Sequence, residues 1–187
     1  MERLVRSLED APVVSRDGYE YFVHPVTDGI PAVDAPLLRE IAGGIAHLAD
    51  LEGVDRILTA EAMGIHHATA LTLETEIPFS VARKRSYGFD GEIAVHQETG
   101  YDEGELYVNG IEPGERVLVV DDVYSTGGTL RALCEALVDL GAEPTEVAVV
   151  IRRGDGPVEL PVPFSALVEV EVRDGRVVAE AIGKTSD

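Results

Sequence analysis

The sequence is short of lysine, cysteine, aromatic residues and long apolar runs, and each shortage excludes something. Only Lys84 and Lys184 are lysines, so thirteen of the fifteen cationic residues are arginines, set against 35 Asp and Glu for a net charge of −20. Nucleic acids are held through their phosphates by a basic face, and this chain has little to build one from, so no nucleic-acid partner is expected. The single cysteine, Cys134, excludes an internal disulfide framework and a cysteine-based zinc site; its apolar helical spacing marks it as a small core residue. No apolar run approaches the ~20 residues of a membrane span, and the N-terminal MERLVRSLEDAP lacks the apolar stretch of a signal peptide. A soluble, cytoplasmic protein with no membrane partner is expected.

Hydrophobic residues still make up 45% of the 187, enough to bury a core, so the negative charge reads as the surface of a folded domain rather than as disorder. A carboxylate-rich surface almost free of lysine repels itself in dilute salt and is screened in strong salt, which points to a halophilic, salt-rich cytoplasm.

The chain alternates elements without internal repeats. Tyr19 to Val23 reads as a short strand before the turn-rich Thr27-Asp28-Gly29-Ile30-Pro31. Asp34 caps a helix with Pro36 in its first turn and Leu37, Leu38, Ile41, Ile45 and Leu48 at helical spacing, weakened by Gly43 and Gly44. A strand at Ile57-Leu58, a helix from Gly64 to about Leu73 and a strand over Phe79 to Ala82 follow. Residues 84–109, rich in glycine and polar residues, show almost no periodicity and read as a long loop, of the kind that serves as a lid or binding segment. Order then returns with the apolar strand Val117 to Val120, a helix from Gly127 to Leu140 ended by Gly141, and a strand over Val147 to Ile151. Short apolar strands followed by amphipathic helices predict an α/β, doubly wound, mostly parallel sheet covered on both faces. In the tail, Ala166 to Val172 and Arg176 to Ile182 flank Asp174-Gly175, a hairpin signal. Such a hairpin lacks a crossover into a parallel sheet, so it forms an edge or a small second unit with the N-terminal segment.

The segment that carries chemistry is Val117-Leu118-Val119-Val120-Asp121-Asp122-Val123-Tyr124-Ser125-Thr126-Gly127-Gly128-Thr129. Ligands of open α/β sheets bind beyond the carboxyl ends of strands, and here a strand end runs directly into a helix start. Backbone N–H groups of Thr126 to Thr129 can converge on an anion there, with the helix dipole behind them and hydroxyls from Ser125, Thr126 and Thr129 beside them. Asp121 and Asp122 are poor neighbours for a phosphate unless they face sugar hydroxyls or a divalent cation held mainly through water. A phosphate cradle beside hydroxyl acceptors suggests a ribose 5-phosphate. His24, His47, His66, His67 and His96 show no metal-ligand spacing and read as structural or surface residues.

This strand, acidic pair and Thr-Gly-Gly-Thr resemble the phosphoribosyl-pyrophosphate motif of type I phosphoribosyltransferases. The resemblance implies that Asp121 and Asp122 hold the ribose hydroxyls, with Asp122 catalytic, and that Ser125, Thr126, Gly127, Gly128 and Thr129 hold the 5-phosphate. Glu61, Ala62, Met63 and Gly64 resemble the pyrophosphate loop of adenine phosphoribosyltransferases, whose backbone amides hold the anion. Arg83, Lys84 and Arg85 form the one three-cation cluster of the chain, where the family places cations that reach pyrophosphate, sometimes across a dimer interface. Residues 84–109 match the family's flexible catalytic loop, and within them Glu98-Thr99-Gly100 resembles a Glu-Tyr-Gly whose glutamate is the acid or base facing the purine. Thr99 departs from that tyrosine. Enzymes for hypoxanthine and guanine usually carry an aspartate where this chain has Ser125.

From Pro25 to Thr129 the chain is similar to the archaeal hypoxanthine/guanine phosphoribosyltransferase group, in particular the HGPRTase-like proteins of halophilic archaea. The resemblance implies a type I phosphoribosyltransferase fold as a single domain, with a core over 34–160, a hood from 1–33 and 161–187 that roofs the base, and a lid over 84–109. It also implies purine salvage: phosphoribosyl transfer from phosphoribosyl pyrophosphate to a purine base with Mg²⁺, in a homodimer. The rival readings are a non-catalytic sensor of phosphoribosyl pyrophosphate and an orotate-type enzyme.

Overall fold

The computed structural model describes residues 1–16, 19–98, 103–154 and 156–182. In chain order the elements are α1 (Glu2–Glu9), β1 (Val13–Arg16), β2 (Tyr19–Phe22), α2 (Pro25–Asp28), α3 (Ala35–Leu48), β3 (Arg56–Ala60), α4 (Gly64–Thr75) and β4 (Phe79–Ala82). They continue as β5 (Ile93–Glu98), β6 (Glu103–Val108), β7 (Arg116–Tyr124), α5 (Gly128–Asp139), β8 (Glu143–Arg153), β9 (Phe164–Arg173) and β10 (Arg176–Ala181).

A six-stranded sheet in the order β10-β9-β8-β7-β3-β4 forms the frame, parallel throughout except for β10. Its central strands are apolar on both sides because both sides are covered. Leu118 and Val120 of β7 pack with α1, α3 and α4, whereas Val117 and Val119 pack with Leu133, Cys134 and Leu137 of α5; all seven are fully buried or nearly so. Period-two burial on two faces is why β7 reads as an unbroken apolar run. Asp34 starts α3 by accepting from Leu37 N–H at 2.7 Å. The glycine pair does not break α3. A Cβ on Gly44 would come within 3.1 Å of Leu167, so the missing side chain lets α3 lie close against β9.

Two expectations need correction. Residues 84–109 are not a continuous loop: β5 and β6 form an antiparallel hairpin, with Val95, Leu106 and Val108 buried against the α5 side of the sheet. Its alternation is short and interleaved with charged residues, which hid it. The tail hairpin takes the sheet edge, one of its two expected places, but it joins in parallel: β9 pairs parallel with β8 over Val147↔Phe164 to Arg153↔Val170, and β10 closes the edge with α1 packed on it. The passage from β8 to β9 runs through residues 154–163, so a parallel partner is reached without the expected crossover helix. The N-terminal segment holds a helix, α1, whose only apolar signal is a few residues one turn apart; Leu4 and Leu8 are fully buried beneath an otherwise charged surface.

Three histidines join these N-terminal elements to α4. His24 precedes α2, accepts from Val26 N–H on Nδ1 at 3.2 Å and donates from Nε2 to Ser7 Oγ at 3.1 Å. His67 donates from Nε2 to the Val26 carbonyl at 3.3 Å, with the His66 ring tilted against it at 3.8 Å between ring centroids. Burial is the main cause that lowers all three, His24 to about 4 and His67 to about 3. A histidine held neutral in the fold and free to protonate near 6.5 when unfolded contributes stability that is present above that pH and lost as pH falls through about 4. Each such histidine adds a slope of up to about 1.4 kcal/mol per pH unit in that window. We predict that chemical denaturation at pH 7, 6 and 5 gives a smaller loss of stability for His67→Gln than for the wild-type chain; equal losses would show that His67 does not set acid sensitivity.

Candidate functional site

β7, β3 and β4 are adjacent and parallel, so their carboxyl ends deliver Asp121-Asp122, the Glu61 to Gly64 loop and Arg83-Lys84-Arg85 to one edge of the sheet. The Asp121 carboxylate accepts from Asp122 N–H at 3.0 Å. Burial raises both carboxyls, Asp121 to about 6, and the Asp121 charge raises Asp122 further. Two acids held this way accept hydrogen bonds from hydroxyl groups well and repel a second anion.

α4 begins hard against this pair. A Cβ on Gly64 would lie 2.8 Å from Asp121 Oδ1 and 1.9 Å from Thr59 Oγ1, so any other residue would push apart the acidic strand end and the helix start. The Glu61–Ala62 peptide that leads into α4 is cis. Glu61 itself is an ion-pair partner: its carboxylate lies 2.6 Å from Arg83 Nε. Arg83 exchanges two backbone hydrogen bonds with Tyr107 of β6, at 3.0 and 2.7 Å, which ties the basic cluster to the β5–β6 hairpin. Lys84 and Arg85 are exposed, and the Arg85 guanidinium sits 5.8 Å from the Tyr87 ring centroid.

At the other side of the acidic pair, Ser125 and Thr126 are exposed and Gly127 takes the left-handed conformation, φ 76°, at the start of α5. A Cβ there would meet the Tyr124 ring at 2.6 Å. Tyr124 is buried against Phe164 and accepts from Glu159 N–H at 3.2 Å, so the floor of the turn is rigid. The first intrahelical bond is Arg131 N–H to the Gly127 carbonyl; the amides of Gly128 to Leu130 precede it and set the positive end of the α5 dipole beside Ser125 and Thr126. The exposed hydroxyls of Ser125 and Thr126 and the first amides of α5 thus lie within one turn of the chain.

Glu98 is the last residue of β5, opposite Glu103; its side chain, with Thr99 and Gly100, lies outside the described residues. Sequence reading missed Glu92. Its carboxylate accepts from Tyr87 N–H and Asn109 Nδ2, each at 2.8 Å, from Gly88 N–H at 3.2 Å, and from the Ser86 hydroxyl. These donors, Ser86 and Asn109 foremost, lower it to about 2. Glu92 thus clips the segment that follows the basic cluster. No periodicity signals such a contact, because its partners lie on both sides of the hairpin. Thr59, which opens the Thr59 to Gly64 segment likened to a pyrophosphate loop, is fully buried, a placement that the sequence reading did not anticipate.

Among the described residues no helix is long and apolar enough to cross a membrane. The profile of the phosphoribosyl transferase domain matches residues 35–174. The chain is 57% identical over 176 residues to HGPRTase-like protein 3 of Haloterrigena turkmenica, which covers 94% of this chain and 95% of the relative. It is 52% identical over 181 residues to HGPRTase-like protein 1 of Halalkalicoccus jeotgali, covering 95% and 99%. In fold it is similar to the adenine phosphoribosyltransferase of Rhodothermus marinus, with a TM-score of 0.72 and 22% identity over 90% of this chain and 99% of the other. The mostly parallel sheet, the strand end that runs through two aspartates into a glycine-capped helix, and these matches make one finding: the chain belongs to the phosphoribosyltransferase family and has the type I fold of those pentosyltransferases.

Proposed function

We propose that this phosphoribosyltransferase serves purine salvage, transferring the 5-phosphoribosyl group from phosphoribosyl pyrophosphate to a purine base. The observation that carries the reading is the paired carboxylate of Asp121 and Asp122 set between two glycine-opened helix starts, one suited to a phosphate monoester and one to pyrophosphate. The HGPRTase-like names of the relatives support a purine acceptor. In the reaction a purine nitrogen bonds to C1 of the ribose as the C1–oxygen bond to pyrophosphate breaks, the bonding pair leaves with pyrophosphate, and the purine nitrogen gives up its proton.

Asp121 and Asp122 orient the ribose through its hydroxyls, and Ser125 to Thr129 anchor the 5-phosphate, so that positioning and charge stabilisation supply most of the acceleration. The amides of Glu61 to Gly64 and the side chains of Arg83, Lys84 and Arg85 receive pyrophosphate; Arg83 is released for this when Glu61 lets it go. Glu98 takes the purine proton. Mg²⁺ would come with the pyrophosphate group and would offset its charge.

A homodimer is part of the same reading. A groove of about 720 Å³ runs between α3 and α4, lined by Leu38, Ala42, Ala62, Ile65, Ala70 and the largely exposed Leu73. Arg39 and Glu74 stand at its walls. A two-fold axis through the groove would bring the apolar lining of one copy against that of the other, with Arg39 and Glu74 beside it. The groove reaches Ala62, so a second copy would border the pyrophosphate loop.

Adenine, hypoxanthine, guanine, xanthine and orotate, each supplied with phosphoribosyl pyrophosphate, Mg²⁺ and molar KCl, should yield nucleotide from at least one purine and none from orotate. Binding of phosphoribosyl pyrophosphate without product from any base would instead make the chain a sensor. Asp122→Asn should lower turnover about 100-fold or more and raise the unfolding midpoint at pH 7 by about 2–4 °C, the shift that about 1 kcal/mol gives a chain of this size. Wild-type turnover in that variant would remove Asp122 from the site. In sedimentation at high salt the wild-type chain should run as a dimer and Leu73→Asp as a monomer; a monomeric wild type ends the dimer proposal.

A further inference from the structure

Thr59 is a polar residue in a position that suits valine. It follows Ile57 and Leu58 in β3, pairs in register with Val81 of β4 and is fully buried. Its Oγ1 has no hydrogen-bond partner among the described residues. A buried hydroxyl left unpaired is costly, and a methyl group in its place would fill the same volume without that cost. The hydroxyl is nonetheless aimed at the most crowded point of the site. Thr59 Oγ1 and Asp121 Oδ1 flank the one spot that the missing Gly64 side chain leaves open, at 1.9 and 2.8 Å from where its Cβ would be. Asp121 Oδ1 meanwhile takes its hydrogen bond from Asp122 N–H, at 3.0 Å, within the acidic pair itself.

We propose that Thr59 is a positioning residue whose hydroxyl donates to the Asp121 carboxylate when a sugar engages the acidic pair, holding that carboxylate turned towards the ribose. The idea rests on the reading of Asp121 as a ribose ligand. Gly64 leaves open the spot that the two oxygens flank, and a bond across it would offset the loss of solvent around a carboxylate that burial disfavours. Thr59 touches no reacting atom. Its effect is to keep Asp121 charged and correctly aimed, so it should show in the pH dependence of binding as well as in rate.

The test compares Thr59→Val and Thr59→Ser with the wild-type chain in molar KCl. Calorimetric titration with phosphoribosyl pyrophosphate and Mg²⁺ across the acid range is read alongside kcat and KM. Thr59→Val should keep or raise the unfolding midpoint, move the acid limb of binding to higher pH, and lower kcat/KM by about 10- to 100-fold, the range expected for a lost hydrogen bond to a charged group. Thr59→Ser should restore both. A valine variant with an unmoved acid limb and wild-type kcat/KM overturns the proposal, as does a serine variant as impaired as valine, since only packing would then matter. If valine prevents folding, Thr59→Ala replaces it in the same comparison with serine. A wild-type chain that binds phosphoribosyl pyrophosphate but makes no nucleotide refutes the transferase reading while the acid limb still decides the role of Thr59. A wild-type chain that does not bind it refutes both.

Discussion

The site is built where two chain segments meet too closely for a side chain. Asp121 stands in the second half of β7 and α4 starts at Gly64, and the distance between them admits a hydrogen atom but no methyl group. This contact fixes several other features. β3 must lie beside β7, so that the turn into α4 arrives next to the acidic strand end; the parallel register of the two strands provides that. α4 must approach the sheet at the angle that its packing against α3 and the buried His67 maintain. The residue before the glycine turn on the other side, Tyr124, must be pinned so that α5 starts in line with the same pair, and Phe164 from β9 pins it. A strand forty residues further along the chain thus supports the turn at the start of α5.

How much of this was legible in the sequence follows from the range of the interactions. β7, α5 and the turn between them are local: apolar residues buried on two faces, helical spacing of Leu130, Leu133 and Leu137, and glycines where the backbone turns left-handed. Their signals lie within a dozen residues, and Asp121 to Thr129 could be read directly. β5 and β6 bury only one face of a short hairpin, and three buried side chains among charged neighbours make no period. α1 offered little more than Leu4 and Leu8. Glu92 and Thr59 were illegible for another reason, because their roles depend on contacts made across the fold. An acidic residue in a polar segment resembles solvated surface, and a threonine in an apolar strand resembles filler. Only the coordinates show that one collects four donors and the other has none.

Charge is distributed by the same logic. With cations so scarce, each arginine near the site has a place. Arg83 is held by Glu61 and by the hairpin backbone; the pairing stores the guanidinium next to the loop while cancelling its charge. Glu92 works alongside it by fixing the backbone of Tyr87 and Gly88, so that the basic cluster is followed by an ordered segment rather than a free one.

Buried titratable groups of opposite kind then set the acid response. Asp121 and Asp122 are raised, so their contribution to stability is fully present below the ordinary carboxyl range and is lost as pH rises through about 6. His24 and His67 are lowered, so theirs is present above about 6.5 and is lost as pH falls through about 4. The two windows overlap and the slopes oppose. Between them the intact chain has a flatter dependence on pH than either group alone would give, and a substitution in one set exposes the other. The acids carry the cost because the site requires charge in a half-buried place. The histidines give their contribution at neutral pH, in the packing that holds α4 against them. The helix whose first residue must be glycine is therefore anchored by groups that are most stabilising where the acidic pair is least so.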